Sequence, residues 1–361
     1  MVEYCYKKYV CKGLEKMKAK TKKRLSVLGI VLGVLVLAYL VIAIVPRQQN
    51  YSLENPMMKD DENSMPILIA HGGGNKEFPD NTLEAFYNAY SVDNRAMMET
   101  DVSITKDGVV ILSHDTTLDR KTNVTGAIAD WNYSDLMAQK VDFGYTNPTE
   151  DGVLNGERKH FVGEDGQEKF PTDVTYPDGV EPRDEKIFLA TTLEELITAF
   201  PENRINVEIK QSGELGKKAF AAVVELLEKY DAFDRVVLAS FHNEIYAEFQ
   251  SWQKEGKVPA EFMYSPGTGG AAKFFVLQLL NLDLFFTDKM CVFQLPMEEL
   301  GLNLATEKLV NKAHDHNLAV HYWTIDDVED MEFLIGIGAD GIMTNYPNRL
   351  KEVYDNYSNK D

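Results

Sequence analysis

The segment RINVEIKQSGELGKKAFAAVVELLEKYDAFDRVVLASF (204–241) decides the fold class of this chain. A β-branched run (204–210) is followed by a stretch with apolar residues at helical spacing (216–230) and then by a second β-branched run (235–241). A strand, a helix and a strand in this order predict two parallel strands joined by a helical crossover. The segment is therefore typical of an α/β protein.

The same alternation extends in both directions along the chain. Further β-branched runs predict strands at 67–71, 96–104, 109–114, 261–265, 318–325 and 340–345. Apolar residues at helical spacing predict helices at 81–90, 192–200 and 305–316. This repetition fits either a closed barrel or an open doubly wound sheet, but no Gly-x-Gly-x-x-Gly motif follows the first strand. We therefore predict an α/β fold of the (β/α)8 TIM barrel type.

An uncharged apolar segment, LSVLGIVLGVLVLAYLVIAIVP (25–46), precedes these elements. At about 1.5 Å per residue it spans roughly 33 Å as a helix, enough to cross a hydrocarbon core of about 30 Å. Residues 1–24 contain nine basic and two acidic side chains, which places the N-terminus in the cytoplasm and the rest of the chain outside the cell. The alternative is a cleaved signal peptide, but the apolar segment is long for one and no A-x-A site follows. We predict an uncleaved, single-pass anchor in the cell membrane.

Two stretches lack periodicity. Residues 47–66 are polar and contain two prolines, so we expect a stalk between membrane and domain. Residues 142–186 are rich in glycine, proline and charge, and we expect an insertion, either a lid or a small subdomain near the site. The predicted divisions are a basic cytoplasmic tail (1–24), a transmembrane helix (25–46), a stalk (47–66), a barrel (67–350) with its insertion (142–186) and a C-terminal tail (351–361).

The composition excludes several classes of function. The chain carries 37 Lys and Arg against 57 Asp and Glu, a formal net charge of −20, and the part that follows the basic tail carries −27. A surface of this sign repels phosphate backbones, so we expect no nucleic-acid partner. Two of the three cysteines lie in the first dozen residues, which excludes a disulfide scaffold and a zinc site built from thiolates.

Acidic residues share one face on two predicted strands. Glu99 and Asp101 are two residues apart, and Glu208 alternates in the same way with Lys210. Adjacent carboxylates repel unless positive charge lies between them, and a hard divalent cation provides it. The alternative for Glu99 and Asp101 is that they lie on the edge of a hairpin with both carboxylates in water. Lys210 would either neutralise an anionic substrate oxygen or form an internal salt bridge.

Two histidines stand at predicted strand ends. His71 closes the first strand in AHGGG and His114 closes ILSHD, and barrel enzymes place their chemistry at the carboxyl ends of strands. A histidine pair suits acid and base catalysis, since the unperturbed imidazole pKa lies near neutrality. Gly72 and Gly73 would let a substrate approach the backbone closely.

The other histidines carry weaker signals. His242 follows a predicted strand and His321 lies on one, so either is a candidate for the wall of the site. His314 and His316 stand in KAHDHN at a predicted helix end, where we expect them in solvent because positive charge there suits the helix dipole.

These residues, in this order, resemble the glycerophosphodiester phosphodiesterase family. The segments that carry the resemblance are IAHGGGNKEFPDNTLEAF (69–86), METDVSITKDGVVILSHDTTLDRKTNVTG (98–126), NVEIK (206–210), LASF (238–241) and YWTIDDVEDMEFLIGIGADGIMTNYP (322–347). They span nearly the whole domain that follows the anchor, and the long second segment is specific.

The resemblance implies a barrel that cleaves a glycerol-linked phosphodiester to glycerol phosphate and an alcohol, with one divalent cation, Ca²⁺ or Mg²⁺. It also implies roles for individual residues. These are Glu99, Asp101 and Glu208 as metal ligands, His71 and His114 as the acid and base, Lys210 facing the phosphate and Trp323 as an aromatic wall beside the alcohol. Attack at phosphorus would be in line, by water or by the glycerol 2-hydroxyl.

The sequence departs from the family pattern at two places. The usual His-Arg-Gly is here His71-Gly72-Gly73, so a phosphate-binding guanidinium is missing, with Arg95, Arg120 and Lys121 as possible substitutes. The usual Pro-Glu-Asn-Thr is Pro79-Asp80-Asn81-Thr82, in which Asn81 with Glu84 would start the first helix.

Several substrates and functions stay open at this point. Tethering to a membrane favours envelope substrates such as deacylated phospholipids, lysophospholipids or a polyglycerolphosphate polymer. A lysophospholipase D, a phosphatidylinositol-specific phospholipase or a sphingomyelinase D also fits a barrel with paired histidines. A catalytically impaired barrel, kept as a binding module, is the third possibility, because the arginine is missing.

Overall fold

The computed structural model describes residues 2–61, 64–146, 158–259 and 262–358. The strands are β1 (Ile67–His71), β2 (Met97–Ile104), β3 (Val110–Leu112), β4 (Tyr145–Thr146), β5 (Lys159–His160), β6 (Ile205–Ile209), β7 (Val236–Ala239), β8 (Met263–Tyr264), β9 (Val292–Leu295), β10 (Glu298–Glu299), β11 (Leu302–Asn303), β12 (Ala319–Tyr322) and β13 (Gly341–Thr344). The helices are α1 (Val2–Ile44), α2 (Leu83–Val92), α3 (Tyr133–Ala138), α4 (Leu193–Ala199), α5 (Gly213–Lys229), α6 (Asn243–Glu255), α7 (Thr268–Leu279), α8 (Glu307–His314), α9 (Val328–Gly336) and α10 (Pro347–Ser358). Single turns of 3₁₀ helix lie at Ile128–Asp130, Pro171–Asp173 and Asp283–Phe285.

The predicted barrel is confirmed. In the nine-stranded sheet, eight strands follow the order β8-β7-β6-β2-β1-β13-β12-β9, all pairing in parallel, while β3 pairs with β2 off this path. The strands at the two ends of this order, β8 and β9, share among the described residues one backbone hydrogen bond, from Cys291 to the carbonyl of Tyr264 at 3.3 Å. The barrel is therefore closed except along one seam between β8 and β9.

Two strand assignments differ from the prediction. The run 109–114 is predicted as a barrel strand, but the chain turns back at Gly108, with φ at +85°, so that β3 pairs antiparallel with β2. A short apolar run suits a hairpin as well as a barrel strand, and its pattern does not separate them. The eighth barrel strand is β9, whose sequence VFQL contains one β-branched residue and carries no strand signal.

The barrel interior is apolar at the amino-terminal end of the strands. Alternate residues point inward there and form one buried cluster, which includes Ile67, Ile69, Met97, Val237, Met263, Val292, Ala319 and Met343. Gly341 belongs to this layer, because a Cβ at that position would come within 2.7 Å of Ile69 and 2.6 Å of His321. The polar residues of the site therefore stand on an apolar floor at the opposite, carboxyl end.

The segment between α1 and β1 covers this floor. Met57 is fully buried in the interior cluster, and its carbonyl accepts a hydrogen bond from Nε2 of His321 at 2.8 Å. Asn55 donates its side-chain amide to the carbonyl of Cys291, 236 residues away in the chain, at 2.6 Å. A polar stalk is predicted over 47–66, whereas these side chains pack against the barrel because their partners lie in distant parts of the chain.

Helix α1 contains the predicted anchor. Its segment Lys20–Ile42 has 23 residues, and the most apolar 18-residue window within it has a mean hydropathy of 2.9, which is long and apolar enough to cross a membrane. The apolar side chains of this segment are exposed to its surroundings. Its length and composition fit a membrane span or a signal sequence, so the predicted topology stays a prediction.

The predicted insertion at 142–186 forms a packed unit, of which 147–157 lie outside the described residues. Strands β4 and β5 pair antiparallel within it. Phe143 and Val174 are buried in an apolar cluster that also contains Ile111 of β3. Of the two alternatives in the sequence analysis, these contacts favour a small subdomain.

Arg183 fastens this subdomain to the barrel. Its guanidinium lies 3.1 Å from the carboxylate of Glu84 in α2 and 3.2 Å from that of Glu195 in α4. It also donates to the carbonyls of Leu189 and Ala190, each at 3.1 Å. Because the Glu84 side chain is 1% exposed, its charge depends on this guanidinium for compensation.

We expect Arg183→Met to lower the free energy of unfolding by about 3–5 kcal/mol, because it leaves the Glu84 carboxylate buried and unpaired. Urea denaturation of the reconstituted chain, followed by tryptophan fluorescence, measures this change. The matched control is Lys140→Met, which breaks an ion pair with Asp184 in which the lysine is 63% exposed, and which should cost less than about 1 kcal/mol. Equal losses in the two variants would contradict a fastening role for Arg183.

Candidate active site

Three carboxylates meet inside the carboxyl end of the barrel. Glu99 and Asp101 project from the interior face of β2, and Asp101 lies opposite Glu208 of the neighbouring β6. Candidate ligand oxygens of the three residues all lie within 4.8 Å of one another. Glu99 and Asp101 are each 3% exposed and Glu208 is half-buried. The first pair is therefore not a solvated hairpin edge.

Repulsion within this cluster is strong. Burial, followed by the charge of Asp101, raises the pKa of Glu99 well above its ordinary value, while the N–H of Gly72 opposes the rise by donating to Glu99 at 2.9 Å. Burial and Asp101 likewise raise the pKa of Glu208. Raised carboxyl pKa values mean that the ionised cluster needs positive charge beside it.

Lys210 provides one positive charge. Its Nζ lies 2.9 Å from Glu208 and 3.4 Å from Asp101. Although burial favours the neutral amine, Asp101 and Glu208 raise the pKa of Lys210, so the ammonium form is retained. Of the two alternatives that the sequence leaves open, the structure has the internal salt bridge.

One lysine does not balance three carboxylates. The donors of the cluster are all oxygens, which suits a hard divalent cation such as Ca²⁺ or Mg²⁺. A cation about 2.0–2.6 Å from each ligand reaches oxygens roughly 4–5 Å apart, compatible with the measured limit of 4.8 Å. Asn206, in register with Glu99, adds a buried Oδ1 that has no hydrogen-bond partner. The residues present therefore fit a single divalent cation.

Asn81 holds Asp101 in position. Its Nδ2 donates to the Asp101 carboxylate at 3.1 Å, and its Oδ1 accepts the backbone N–H of Asp101 at 3.1 Å and the hydroxyl of Thr100 at 2.7 Å. The side chain reaches these groups from a left-handed backbone conformation, with φ at 60°, which asparagine tolerates better than most residues.

The sequence analysis assigns Asn81 to the start of the first helix, and this assignment is wrong. Thr82 is the N-cap, since its hydroxyl accepts the N–H of Ala85. Glu84, the expected partner of Asn81 in the cap, binds Arg183 instead. No local pattern distinguishes an asparagine that caps a helix from one that turns back toward a strand, so this function of Asn81 is visible only in the fold.

His71 is oriented by an amide and a carboxylate. Its Nδ1 lies 2.7 Å from Oδ1 of Asn345, whose Nδ2 donates to Asp326 at 2.7 Å. Because Asp326 accepts from the amide nitrogen, the amide oxygen must face His71, which therefore carries its proton on Nδ1. Nε2 of His71 is left as the basic nitrogen. Asn345 lies within the quoted segment GADGIMTNYP, but its residue type alone carries no signal for this function.

His114 reaches the site by a different path from the predicted one. It follows β3, which runs antiparallel, so it does not stand at the carboxyl end of a barrel strand as the sequence analysis expects. The hairpin brings it back beside β2, where the N–H of Ser113 donates to the carbonyl of Asp101 at 2.8 Å. The hairpin thus delivers the second histidine to the same cluster.

The environment of His114 favours its charged form. Its Nδ1 lies 3.0 Å from Asp115, which also accepts two hydrogen bonds from Arg120, at 2.7 and 2.9 Å. The hydrogen bond to Asp115 raises the pKa of His114, against the effect of burial. Burial alone would raise the pKa of Asp115, but His114 and Arg120 hold it well below its ordinary value. His114 and Asp115 therefore form a pair in which the imidazole is a proton donor.

A cavity of about 500 Å³ opens over the cluster. Both histidines, the three acids and Lys210 line it, as does Trp323. The ring of Phe241 packs edge-on against Trp323 with centroids 6.4 Å apart and is 55% exposed. The two rings form one aromatic side of this cavity. Phe241 stands in the quoted segment LASF, but the sequence analysis assigns it no function.

Gly72 and Gly73, predicted to bind substrate, are absent from the cavity lining. The N–H of Gly72 is occupied by Glu99. Gly73 packs under α2, where a Cβ would come within 2.7 Å of Ala85. Positive φ angles of +55° and +85° explain why both are glycine. They shape the loop after β1, and Gly72 holds the Glu99 carboxylate through its N–H.

The three basic residues considered as substitutes for the missing guanidinium also lie outside the cavity lining. Arg95 forms an exposed ion pair, and Arg120 is bound to the carboxylate beside His114. Lys121 pairs with Asp80, whose Cβ lies 2.9 Å from the place of a Cβ on Gly72. Lys121 thus places its amino group next to the loop that lacks the arginine, where burial lowers its pKa to about 7.

The other histidines lie away from the cluster. His242 contacts the carbonyl of Lys210 at 3.0 Å, and His321 faces the apolar floor. His314 pairs with Asp340 at 2.7 Å. His316, expected in solvent, is fully buried because the segment after α1 covers this end of α8.

Comparisons with known proteins find similar sequences and similar folds. The model of the glycerophosphoryl diester phosphodiesterase family matches residues 71–349. Lysophospholipase D GDPD1 of Rattus norvegicus is 26% identical over 322 residues, covering 80% of this chain and 86% of that protein. Glycerophosphodiester phosphodiesterase of Bacillus altitudinis is 24% identical over 294 residues, covering 80% and 98%. The structure of an Oleispira antarctica phosphodiesterase in complex with the product sn-glycerol-3-phosphate has a TM-score of 0.55 at 20% identity, covering 81% and 97%.

We expect Asn81→Ala to weaken cation binding about 10- to 100-fold, because Asp101 loses the amide that orients it. Isothermal titration of the reconstituted chain with Ca²⁺ and Mg²⁺ measures the affinity. Asn88→Ala is the matched control, since the amide of Asn88 donates to Glu77 outside the cluster. An unchanged affinity in Asn81→Ala would show that Asp101 is oriented by other contacts.

Proposed function

This chain belongs to the glycerophosphoryl diester phosphodiesterase family, and we propose that it hydrolyses glycerophosphodiesters to glycerol phosphate and an alcohol with one divalent cation, Ca²⁺ or Mg²⁺. Family membership makes it a phosphodiesterase. The ligands would be Glu99, Asp101 and Glu208. The catalytic pair would be His71 and His114.

One observation carries the proposal: two histidines adjoin the same carboxylate cluster, and each has its own acceptor at Nδ1. His71 is in register with Glu99 of β2, while the residue before His114 is bonded to Asp101 of the same strand. Because Nδ1 is occupied in both rings, Nε2 is the nitrogen available to a reacting oxygen. Acid and base catalysis at phosphorus requires two such groups.

The two environments support opposite tasks. The neutral amide of Asn345 orients His71 without adding charge, so its free Nε2 acts as the base that removes a proton from the attacking oxygen. Asp115 stabilises the protonated form of His114, so His114 acts as the acid. As the bond between phosphorus and the alcohol oxygen breaks, His114 passes its proton to that oxygen and the alcohol leaves neutral. The attacking oxygen is that of water, which gives glycerol phosphate directly, or that of the glycerol 2-hydroxyl, which gives a cyclic phosphate that water then opens to glycerol phosphate.

The negative charge of the bound phosphate also needs compensation by positive groups. A cation on the three carboxylates would neutralise and orient phosphoryl oxygens. Lys210, between Glu208 and Asp101, places its ammonium group at the edge of the cluster and faces the phosphate once those carboxylates are compensated. Position 72 contributes no guanidinium, so Lys210 carries more of this task than it would beside an arginine.

The location of the enzyme follows from its anchor. We assign Lys20–Ile42 to a single membrane span, with the basic segment before it in the cytoplasm and the barrel on the outer side of the cell membrane. A glycerol-linked phosphodiester is the chemistry shared by glycerophosphodiesters and lysophospholipids, the two classes that the names of the relatives mention.

The central experiment measures glycerol phosphate release from glycerophosphocholine by the full chain in lipid nanodiscs. We expect turnover with Ca²⁺ or Mg²⁺ and none with excess EDTA. His71→Ala should reduce kcat by about 10²- to 10⁴-fold because it removes the base, and Glu208→Gln should raise the cation concentration needed for half-maximal activity. His160→Ala, in the subdomain, is the matched control.

Turnover that persists in EDTA or in His71→Ala would contradict the proposed mechanism. Cation binding by the wild-type chain without turnover of any glycerol-linked diester would favour the alternative of a binding module. Release of choline phosphate instead of glycerol phosphate would place the cut on the other side of phosphorus and would contradict the proposed reaction.

The pH profile of kcat/KM tests the assignment of acid and base. His114 must be protonated, and Asp115 raises its pKa, so activity should persist to a higher pH than an isolated imidazole allows. Asp115→Asn removes the cause of the rise and should move the alkaline limb to lower pH, with the acid limb unchanged. Asp119→Asn is the control for general loss of charge. A shift of the acid limb in Asp115→Asn would instead assign the base to His114 and the acid to His71.

A further inference from the structure

Part of the lining of this cavity is apolar, and we call this part the apolar chamber. The side chains that line it are Phe274, Phe275, Phe293, Leu295, Leu304 and Leu309. They come from α7, β9, α8 and the segment before α8. None of these six side chains carries a hydrogen-bonding group, in contrast to the acids and histidines at the other end of the cavity.

The chamber lies outside the barrel wall. Along β9, Val292 belongs to the interior cluster, whereas Phe293 and Leu295 belong to the cluster between strands and helices. Gln294 alternates with them, lines the cavity and has a buried Nε2 without a hydrogen-bond partner. A cavity lined by both faces of β9 must pass from the barrel interior to the helical layer.

The seam in the barrel makes this passage. Among the described residues, β8 has two residues and is joined to β9 by one backbone hydrogen bond, at the level of Tyr264 and Cys291. Above that level, toward the carboxyl ends of the strands, no ladder closes the wall in the described part of the chain. An apolar ligand can therefore extend from the catalytic cluster through the wall without breaking a strand pair.

The outer side of the same helix is also apolar. Val276, Leu279 and Leu280, at the end of α7, are 54%, 52% and 55% exposed. The next residue, Asn281, donates its side-chain amide to the hydroxyl of Tyr39 at 2.7 Å, and Tyr39 belongs to the candidate membrane span. The C-terminal end of α7, one of the helices that line the chamber, thus adjoins the segment that we assign to the membrane.

The anchor is held at this place by a buried ion pair. Arg47, three residues beyond the end of α1, pairs with Asp283, whose side chain is 0% exposed. Asp283 lies in the single helical turn after α7 and is also 3.4 Å from Lys312 of α8. Because both helices line the chamber, the contact sets the position of the chamber relative to the anchor.

We propose that the apolar chamber binds the hydrocarbon chain of a single-chain phospholipid, which enters from the bilayer beneath α7 and presents its glycerol-linked phosphodiester to the two histidines. The class of reaction rests on the proposed function. The binding site for the hydrocarbon does not depend on it. A chamber of six apolar side chains suits a hydrocarbon and gives no partner to a polar head group.

The position of the bound hydrocarbon is tested under conditions in which the enzyme does not turn over. A lysophosphatidylcholine with a photoreactive diazirine near the end of its acyl chain is added to the full chain in nanodiscs, with EDTA present, and the crosslinked peptides are sequenced. We expect labels on α7, β9 and α8. Labels confined to α1 would overturn the chain site even if the enzyme hydrolyses glycerophosphocholine. If the chamber is labelled but the same protein shows no turnover when Ca²⁺ or Mg²⁺ is supplied, the result would support the hydrocarbon site and contradict the proposed function.

Kinetics test whether the chamber contributes to specificity. Choline release is compared for glycerophosphocholine and for lysophosphatidylcholines of increasing chain length, below their micelle concentrations. Ala271→Phe, on the chamber side of α7, should lower the ratio of long-chain to chainless kcat/KM by about tenfold or more, since each methylene that loses burial costs about fourfold.

The matched control is Ala247→Phe, which introduces the same side chain on the exposed face of α6 and should leave this ratio within about twofold of the wild type. Partition of the lipids into the nanodisc is the same for all three proteins and cancels in the comparison. Equal ratios in wild type and Ala271→Phe would overturn the proposal, as would an equal fall in both variants.

Discussion

Mutual repulsion among Glu99, Asp101 and Glu208 is the constraint on which the rest of this structure depends. Three carboxylates within 4.8 Å of one another, two of them almost fully buried, are held there by the pairing of β2 with β6. Such a cluster destabilises the fold unless positive charge compensates it. Lys210 provides part of that charge, and the oxygen donors provide a place for a divalent cation to supply the rest.

The surroundings of the cluster follow from this constraint. A left-handed Asn81 and the N–H of Gly72 orient two of the carboxylates, and both positions need backbone conformations that few residues adopt. The β3 hairpin and the loop after β13 bring His114 and Asn345 to the same end of the barrel. The apolar floor below keeps water from the opposite side. Each of these features acts on the charge or orientation of a few side chains within one layer of the barrel.

The sequence predicts the parts of this layer that depend on strand periodicity. Residues two apart on one strand share a face, so Glu99 with Asp101 and Glu208 with Lys210 are found from spacing alone. Asn81 and Asn345 are not found, because their function arises from contacts with residues 20 and 274 positions away. His316 and Met57 are misjudged for the same reason, since distant segments bury them. Strand β9 is not predicted, because a strand that is buried on both faces needs no alternation of polar and apolar residues.

We propose that the three carboxylates bind one cation and that Lys210 is thereby released toward the phosphate. The most direct measurement is anomalous scattering from crystals of the full chain grown with Mn²⁺ and sn-glycerol 3-phosphate. We expect one anomalous peak bonded to oxygens of Glu99, Asp101 and Glu208, with the ammonium group of Lys210 against a phosphate oxygen. A cluster without a peak, in which Lys210 still bridges Glu208 and Asp101 beside bound glycerol phosphate, would contradict it.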